Sequence, residues 1–266
     1  MIAAFDHIAT DYDEHFTYSI IGKAQRQLVL QYLKPMLLQQ KNIRVLELNC
    51  GTGEDAKWMA QHGATVVATD ISASMIQQAE AKIEAAGLSQ KVVCKQLDIN
   101  NMLHVVGIEK FDLIYSNFGG LNCIAPQKLA ELLQHQLPAL LNKNGSMVFV
   151  MMPKFCLWET VYHTLIFKWK NVFRRLTNNA VIASVGNGAT VETWYYKPSW
   201  LKQYLPTNSS VQKINPIGFF IPPSYLNHFV SKRPKLFALL NKLESKVSNY
   251  SFLAAASDHY LIHLKK

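Results

Sequence analysis

Over residues 1–152 the chain alternates short apolar runs with helical patterns, and this rhythm restricts its fold more than any other feature. "NIRVLEL" (Asn42–Leu48), "TVVATD" (Thr65–Asp70), "KVVCKQLD" (Lys91–Asp98), "FDLIYS" (Phe111–Ser116) and "GSMVFVMM" (Gly145–Met152) read as strands. Between them, a helix is expected from Glu54 to about His62, stopped by Gly63. A second follows a Ser72 or Ser74 cap and shows Met75, Ile76, Ala79 and Ile83 on one face before Gly87. A third starts near Pro126 and carries Leu129, Leu132, Leu133, Leu137 and Leu140. Such alternation predicts an α/β architecture with a parallel sheet covered on both faces. Ligands bind such sheets beyond the carboxyl ends of the strands. Glu47–Gly53, Asp70, Asp98 and Asn117 all fall at or just past expected strand ends.

The first of these ends is "ELNCGTG", and it narrows the ligand. Gly51, Gly53 and Ala56 match the dinucleotide pattern G-x-G-x-x-A loosely. Glu47, Glu54 and Asp55 crowd the same turn, and carboxylates there would repel a pyrophosphate. S-adenosylmethionine has no phosphate and carries a sulfonium and an ammonium, so acids at this turn favour it over NAD.

"VLELNCGTGEDA", "VVATDIS", "QLDI" and "FDLIYSNFGGL" together resemble the class I S-adenosylmethionine-dependent methyltransferases, from roughly Phe5 to Met152. Asn49 stands where the usual first motif has glycine, and asparagine tolerates left-handed backbone better than most residues. The resemblance implies a doubly wound Rossmann-like fold with a mostly parallel seven-stranded sheet and S-adenosyl-L-methionine as cofactor. It implies that Glu47 meets the methionine amino group, and that Asn49, Gly51 and Gly53 let the backbone approach the cofactor. Asp70 would accept the ribose hydroxyls, with Ile71 or Met75 on the adenine and Asp98 and Ile99 at its edge. Asn117 and Phe118 would line the methionine side. "FDHIATDYDEHF" is similar to the N-terminal segment that closes over the cofactor, which makes Tyr12 a contact.

After Met152 the rhythm breaks. Residues 1–152 are expected to form the cofactor-binding core, 153–190 a helical lid insertion, and 191–266 the closing strands and acceptor side of a single domain. "ATVETWYYK" and "SDHYLIHLKK" read as the two closing strands, "INPIGFFIPPSYL" as a proline-punctuated loop, and "SKRPKLFALLNKLESKV" as a basic amphipathic helix. Methyl transfer from a sulfonium demands in-line placement and exclusion of water, with a base only where the acceptor must lose a proton. No catalytic dyad is evident. Glu159 sits among aromatics where its pKa could rise, His163 lies one turn on, and Tyr195 and Tyr196 point to opposite faces of a strand. Phe219, Phe220 and Tyr225 are candidates to wall an apolar acceptor pocket.

Charge bears on the acceptor. The net charge is +9, yet residues 1–153 hold 12 Lys and Arg against 14 acids, while residues 154–266 hold 15 against 4. An anionic or lipid-linked small molecule suits the second part. Lys168, Lys170, Arg174 and Arg175 interleave with Phe167, Trp169 and Phe173, a pattern for an anionic membrane surface or nucleic acid. No appended RNA-binding module is found, and "SNFGG" replaces the NPPY-type motif of base methylation, which disfavours nucleic acid. Cys50, Cys94, Cys123 and Cys156 have no C-x-x-C spacing, so neither a disulfide framework nor a metal site is expected. No run of about 18 apolar residues suggests a transmembrane helix. The acidic start does not read as a signal peptide, so the cytoplasm is the expected compartment. The composite reading is methyl transfer to O or N of a small, partly apolar acceptor. Its rivals are an RNA or protein methyltransferase of the same fold, a dinucleotide oxidoreductase, and a non-catalytic S-adenosylmethionine-binding protein.

Overall fold

A computed structural model describes residues 4–102, 109–186 and 188–266 of the 266. Helix α1 (Ile20–Gln39) precedes strand β1 (Arg44–Leu48), helix α2 (Glu54–Gln61), β2 (Thr65–Asp70), α3 (Ala73–Ala85), β3 (Val92–Gln96) and β4 (Phe111–Ser116). Helix α4 (Pro126–Glu131) continues through a π turn and a last helical turn to Leu140, and β5 spans Leu141–Met151. Seven strands form one sheet in the order β3-β2-β1-β4-β5-β9-β8, with β8 at Ser210–Ile217 and β9 at His259–Lys265. Only β9 runs against the others. This is the expected doubly wound, mostly parallel sheet.

Both faces are covered because the central strands are apolar on both sides. Leu46, Ile114, Phe149 and Ile262 pack toward the helical segment 126–140, while Val45, Leu113, Val148 and Leu261 pack toward α1 and α2. Ser72 caps α3 by accepting from the Met75 N–H at 3.1 Å, and Gly87 beyond its end has φ +67°.

Three expectations fail beyond Met152. First, Ala189–Thr193 (β7) does not join the main sheet; it pairs with β6 (Val181–Gly186) in a separate hairpin, so the second half of 153–190 is not helical. Second, the place it was to take falls to Ser210–Ile217, which includes residues read as a proline-rich loop. Pro216 is tolerated because β8 is an edge strand and needs no N–H on its open side. Third, the "helical" run after Cys156 breaks into α5 (Leu157–Leu165) and α6 (Trp169–Val172), hinged at Phe167 with φ +57°. The basic helix α7 (Pro234–Val247) and β9 are as expected.

His263 on β9 lies between Tyr32 Oη at 2.7 Å and Ser146 Oγ at 3.0 Å. Burial, assisted by Lys265, lowers its pKa from 6.5 to about 4. The unfolded chain therefore takes up a proton on acidification before the folded chain does. This contribution to stability is complete above pH 6.5 and is lost as the pH falls to about 4. Melting temperatures at neutral and mildly acid pH should fall less steeply in His263→Gln than in the wild type; equal slopes would refute the assignment.

Candidate functional site

The site begins where β1 ends. Asn49, Gly51 and Gly53 all take positive φ (57°, 54° and 74°), so the asparagine adopts the left-handed backbone that glycine usually supplies. A side chain at Gly53 would strike Ala79 Cβ at 2.8 Å, which fixes glycine there. The turn is tied to the end of β2: Asp70 Oδ2 accepts the Gly51 N–H at 2.9 Å and Oδ1 accepts the Ser72 N–H at 2.9 Å. Burial still leaves the Asp70 carboxyl above its ordinary pKa.

Three acids were expected to make the turn negative, but two carry internal partners. Glu54 pairs with Lys57 and Lys82, and Asp55 pairs with Arg26 and accepts from Tyr115 Oη and Asn117 Nδ2. The charge argument therefore narrows to Glu47 and Asp70. Glu47 is buried with Oε2 unpartnered. Burial first, then the Asp55 and Asp70 carboxylates, push its pKa well above the usual range. A buried, orphaned carboxylate oxygen costs on the order of kcal/mol until a donor reaches it, and an ammonium is a fitting one. Arg26 supplies the opposite feature, an enclosed Nε without a partner beside a guanidinium held charged by Asp55. An orphan acceptor and an orphan donor around one glycine turn suit an α-amino acid end, so S-adenosylmethionine fits the residues present. Arg26 was not foreseen, because nothing in the sequence of helix α1 marks it as part of a site.

The other expected contacts divide. Tyr12 Cε1 lies 3.9 Å from where a Gly51 Cβ would stand, so its ring covers the turn. Met75 is fully buried against Ile8 and Ala9, with Phe5 and Tyr12 packed on the same cluster. Ile71 is exposed beside the Asp70 turn, whereas Ile99 is buried under the end of β3 and Asp98 is partly buried there. Asn117 Oδ1 accepts the Phe118 N–H at 2.9 Å, and Phe118 takes φ +44° at the mouth of β4.

Next to this turn is a cavity of about 290 Å³. Tyr12, whose ring covers the glycine turn, and Phe118 line it; Met152, Tyr195, Tyr225 and His259 form other walls. It lies at the same sheet edge, because β4 and β5 end there and the antiparallel β9 begins there. The Phe118 ring meets the His259 imidazole edge-on with centroids 5.5 Å apart. His259 Nδ1 is 3.2 Å from Asp258 Oδ2, an ion-pair distance, but makes no hydrogen bond. Burial alone would raise the Asp258 pKa, but His259 and Arg175 hold it well below the ordinary value.

Glu159 is corrected by this network. Burial would raise its pKa, yet Arg174 and Arg175 outweigh burial and keep it ionised. Arg174 reaches it at 2.6 and 3.0 Å; Arg175 donates Nε to Glu159 at 3.0 Å and Nη1 and Nη2 to the Asp258 carbonyl and carboxylate at 2.9 and 3.0 Å. Arg174 and Arg175 thus turn into the cavity wall instead of facing a membrane or nucleic acid. His163 is buried with Nδ1 unpartnered; it does not line the cavity but packs against Tyr162 and behind the Tyr225 ring of the wall. Tyr195 lines the cavity while Tyr196 is buried with its hydroxyl on the Ile124 carbonyl. They do not sit on a strand, since β7 ends at Thr193. Tyr225 lines the cavity, but Phe219 and Phe220 do not. His259 was missed because a histidine at the head of a strand carries no sequence signal of its own.

Residues 45–145 match the family model described as a methyltransferase domain. Over 192 residues the chain is 27% identical to a malonyl-[acyl-carrier protein] O-methyltransferase of Pseudescherichia vulneris, covering 72% of this chain and 67% of that protein. Over 104 residues it is 31% identical to a tRNA 5-carboxymethoxyuridine methyltransferase of Escherichia coli, covering 37% of this chain and 40% of that protein. In the first curated relative it matches, the chain spans 41% of the length. A solved S-adenosylmethionine-dependent methyltransferase of Clostridium acetobutylicum superposes with a TM-score of 0.59 at 16% identity, covering 99% of each chain, and so shares the fold. The strand order and the family match agree: residues 45–145 match a methyltransferase domain, and the chain has the fold of a solved S-adenosylmethionine-dependent methyltransferase.

Proposed function

We infer that the protein transfers a methyl group to an oxygen or nitrogen of a small, partly apolar acceptor. The observation that carries this reading is the junction at Tyr12 and Phe118, where the glycine turn with its unpartnered Glu47 Oε2 meets a largely apolar cavity holding His259. S-adenosylmethionine, when bound, supplies a methyl group already activated on a sulfonium. Glu47 and Arg26 would hold its amino-acid end, and Asp70, with Gly51 and Ser72, its ribose side. The chain's own work is then placement, dryness and proton removal. Phe118, Met152 and Tyr195 exclude water from the acceptor. His259, whose ring lines the cavity beside Phe118 with the Asp258 carboxylate 3.2 Å from its Nδ1, is the group that would take a proton from an acceptor hydroxyl or amine. Arg174, part-exposed on the cavity wall, suits an acceptor with an anionic group. The named relatives act on malonyl-[acyl-carrier protein] and on tRNA 5-carboxymethoxyuridine, so kinship alone selects no acceptor.

Titration calorimetry with S-adenosylmethionine, S-adenosylhomocysteine and NAD tests the cofactor half. Micromolar binding of the first two is expected, weakened by about 1–3 kcal/mol in Asp70→Ala through lost charged hydrogen bonds. Binding of NAD alone, or an unchanged affinity in the folded variant, would overturn the reading of the turn.

A further inference from the structure

Helix α5 is built inside out. Its buried residues are Glu159 and His163, whereas Leu157, Val161 and Leu165 stand outward at a spacing of four. The exposed apolar surface continues past the hinge: Leu165 is 72% exposed, Phe167 77%, Trp169 62% and Phe173 62%. The Phe167 and Trp169 rings meet edge-to-face, with Lys168 and Lys170 exposed between and beside them. A water-facing helix that spends its polar residues inward and its large apolar ones outward requires an apolar neighbour.

Charge says which neighbour. Residues 154–266 hold 15 Lys and Arg against 4 acids, and three of those acids are withdrawn from the surface. Glu159 and Asp258 are buried in the arginine network, and Glu244 is buried under four backbone N–H groups. Glu192 alone remains exposed. From Thr160 to Phe173 the aromatic hairpin carries exposed Lys168 and Lys170 and no acid, which complements the headgroups and acyl boundary of an anionic bilayer. Among the described residues no helix is long and apolar enough to cross a membrane, so the contact is made from one side.

We propose that the α5–α6 hairpin, led by Leu165, Phe167 and Trp169 and flanked by Lys168 and Lys170, seats the protein on an anionic lipid surface. The hairpin leads directly into Arg174 and Arg175 on the cavity wall, so a seated molecule presents its acceptor side near the lipid. This goes beyond the methyl-transfer reading, and its test does not use catalysis.

The full chain would be sedimented with phosphatidylcholine vesicles containing about 30 mol% phosphatidylglycerol and with phosphatidylcholine alone. Retention is expected on the anionic vesicles, with about tenfold or more weaker retention on the neutral ones. Phe167→Ser/Trp169→Ser and, separately, Lys168→Glu/Lys170→Glu should each weaken retention about tenfold or more while leaving S-adenosylhomocysteine affinity unchanged by calorimetry. Wild-type protein that stays in solution with anionic vesicles would overturn the proposal, as would variants that sediment like wild type. So would a wild-type dimer that the aromatic pair variant converts to monomer, since the face would then join two copies of the chain. Retention on unrelated RNA in preference to vesicles would also count against it.

Discussion

Arg175→Ala is expected to lower the unfolding free energy by about 3–5 kcal/mol, the largest stability effect of any single substitution at the site. The guanidinium is 5% exposed and makes hydrogen bonds to Glu159 and to both the carbonyl and carboxylate of Asp258. Its removal takes a partner from two buried carboxylates at once. Glu159 keeps Arg174, but Asp258 keeps only His259 and Gln25 Nε2 at 3.3 Å. Lysine cannot replace the forked donor, so Arg175→Lys should recover little. Arg174→Ala should cost clearly less, because Arg174 is part-exposed and Arg175 still holds Glu159. Urea unfolding of the three variants decides the matter. Equal midpoints for Arg175→Ala and wild type would mean that the network contributes no net stability.

His259→Ala is expected to lower kcat about a hundredfold or more for a hydroxyl or amine acceptor, with S-adenosylhomocysteine affinity within about twofold of wild type. The imidazole lines the cavity edge-on to Phe118 and is not a partner of the glycine turn, so its loss should spare cofactor binding. A carboxylate acceptor carries no proton to remove and would be indifferent to the change. The same variant therefore sorts acceptor classes: a large loss marks an acceptor that must be deprotonated. An unchanged kcat on a hydroxyl acceptor would remove His259 from the mechanism and leave only positioning and exclusion of water.

Legibility in the sequence followed the range of the interactions. The five parallel strands and the helices α2 and α3 were readable because their apolar periodicity, caps and glycines are local. So was the turn at Asn49, Gly51 and Gly53, whose left-handed backbone depends on residue type alone. The places of Glu47 and Asp70 at the ends of β1 and β2 were readable for the same reason. Asp55 misled because its partner, Arg26, lies 29 positions away and no local pattern announces a long-range ion pair; for Glu54 the partner Lys57 was within reach at i+3, and only Lys82, 28 positions away, was not. Glu159 misled for a related reason: its aromatic neighbours in sequence suggested an apolar setting, and the two arginines that decide its charge come from beyond the hinge at Phe167. The exchange of β7 for β8 turned on Pro216, whose cost depends on whether the strand is at an edge, a property of the sheet and not of the strand.

Glu244 sets how rigid one cavity wall is. Its buried carboxylate accepts from the N–H groups of Gly218, Phe219, Phe220 and Ile221 at 2.8, 3.2, 2.6 and 3.0 Å, so helix α7 clamps the backbone that leads into Pro223, Ser224 and Tyr225 of the cavity wall. A wall fixed in this way has already given up its conformational entropy when the chain folds. Each acceptor then meets a finished surface, and discrimination among acceptors rests on side-chain shape at a few positions. Exchanging Tyr225 should accordingly redirect acceptor preference without disturbing the backbone, which makes this wall the natural place for related chains to diverge.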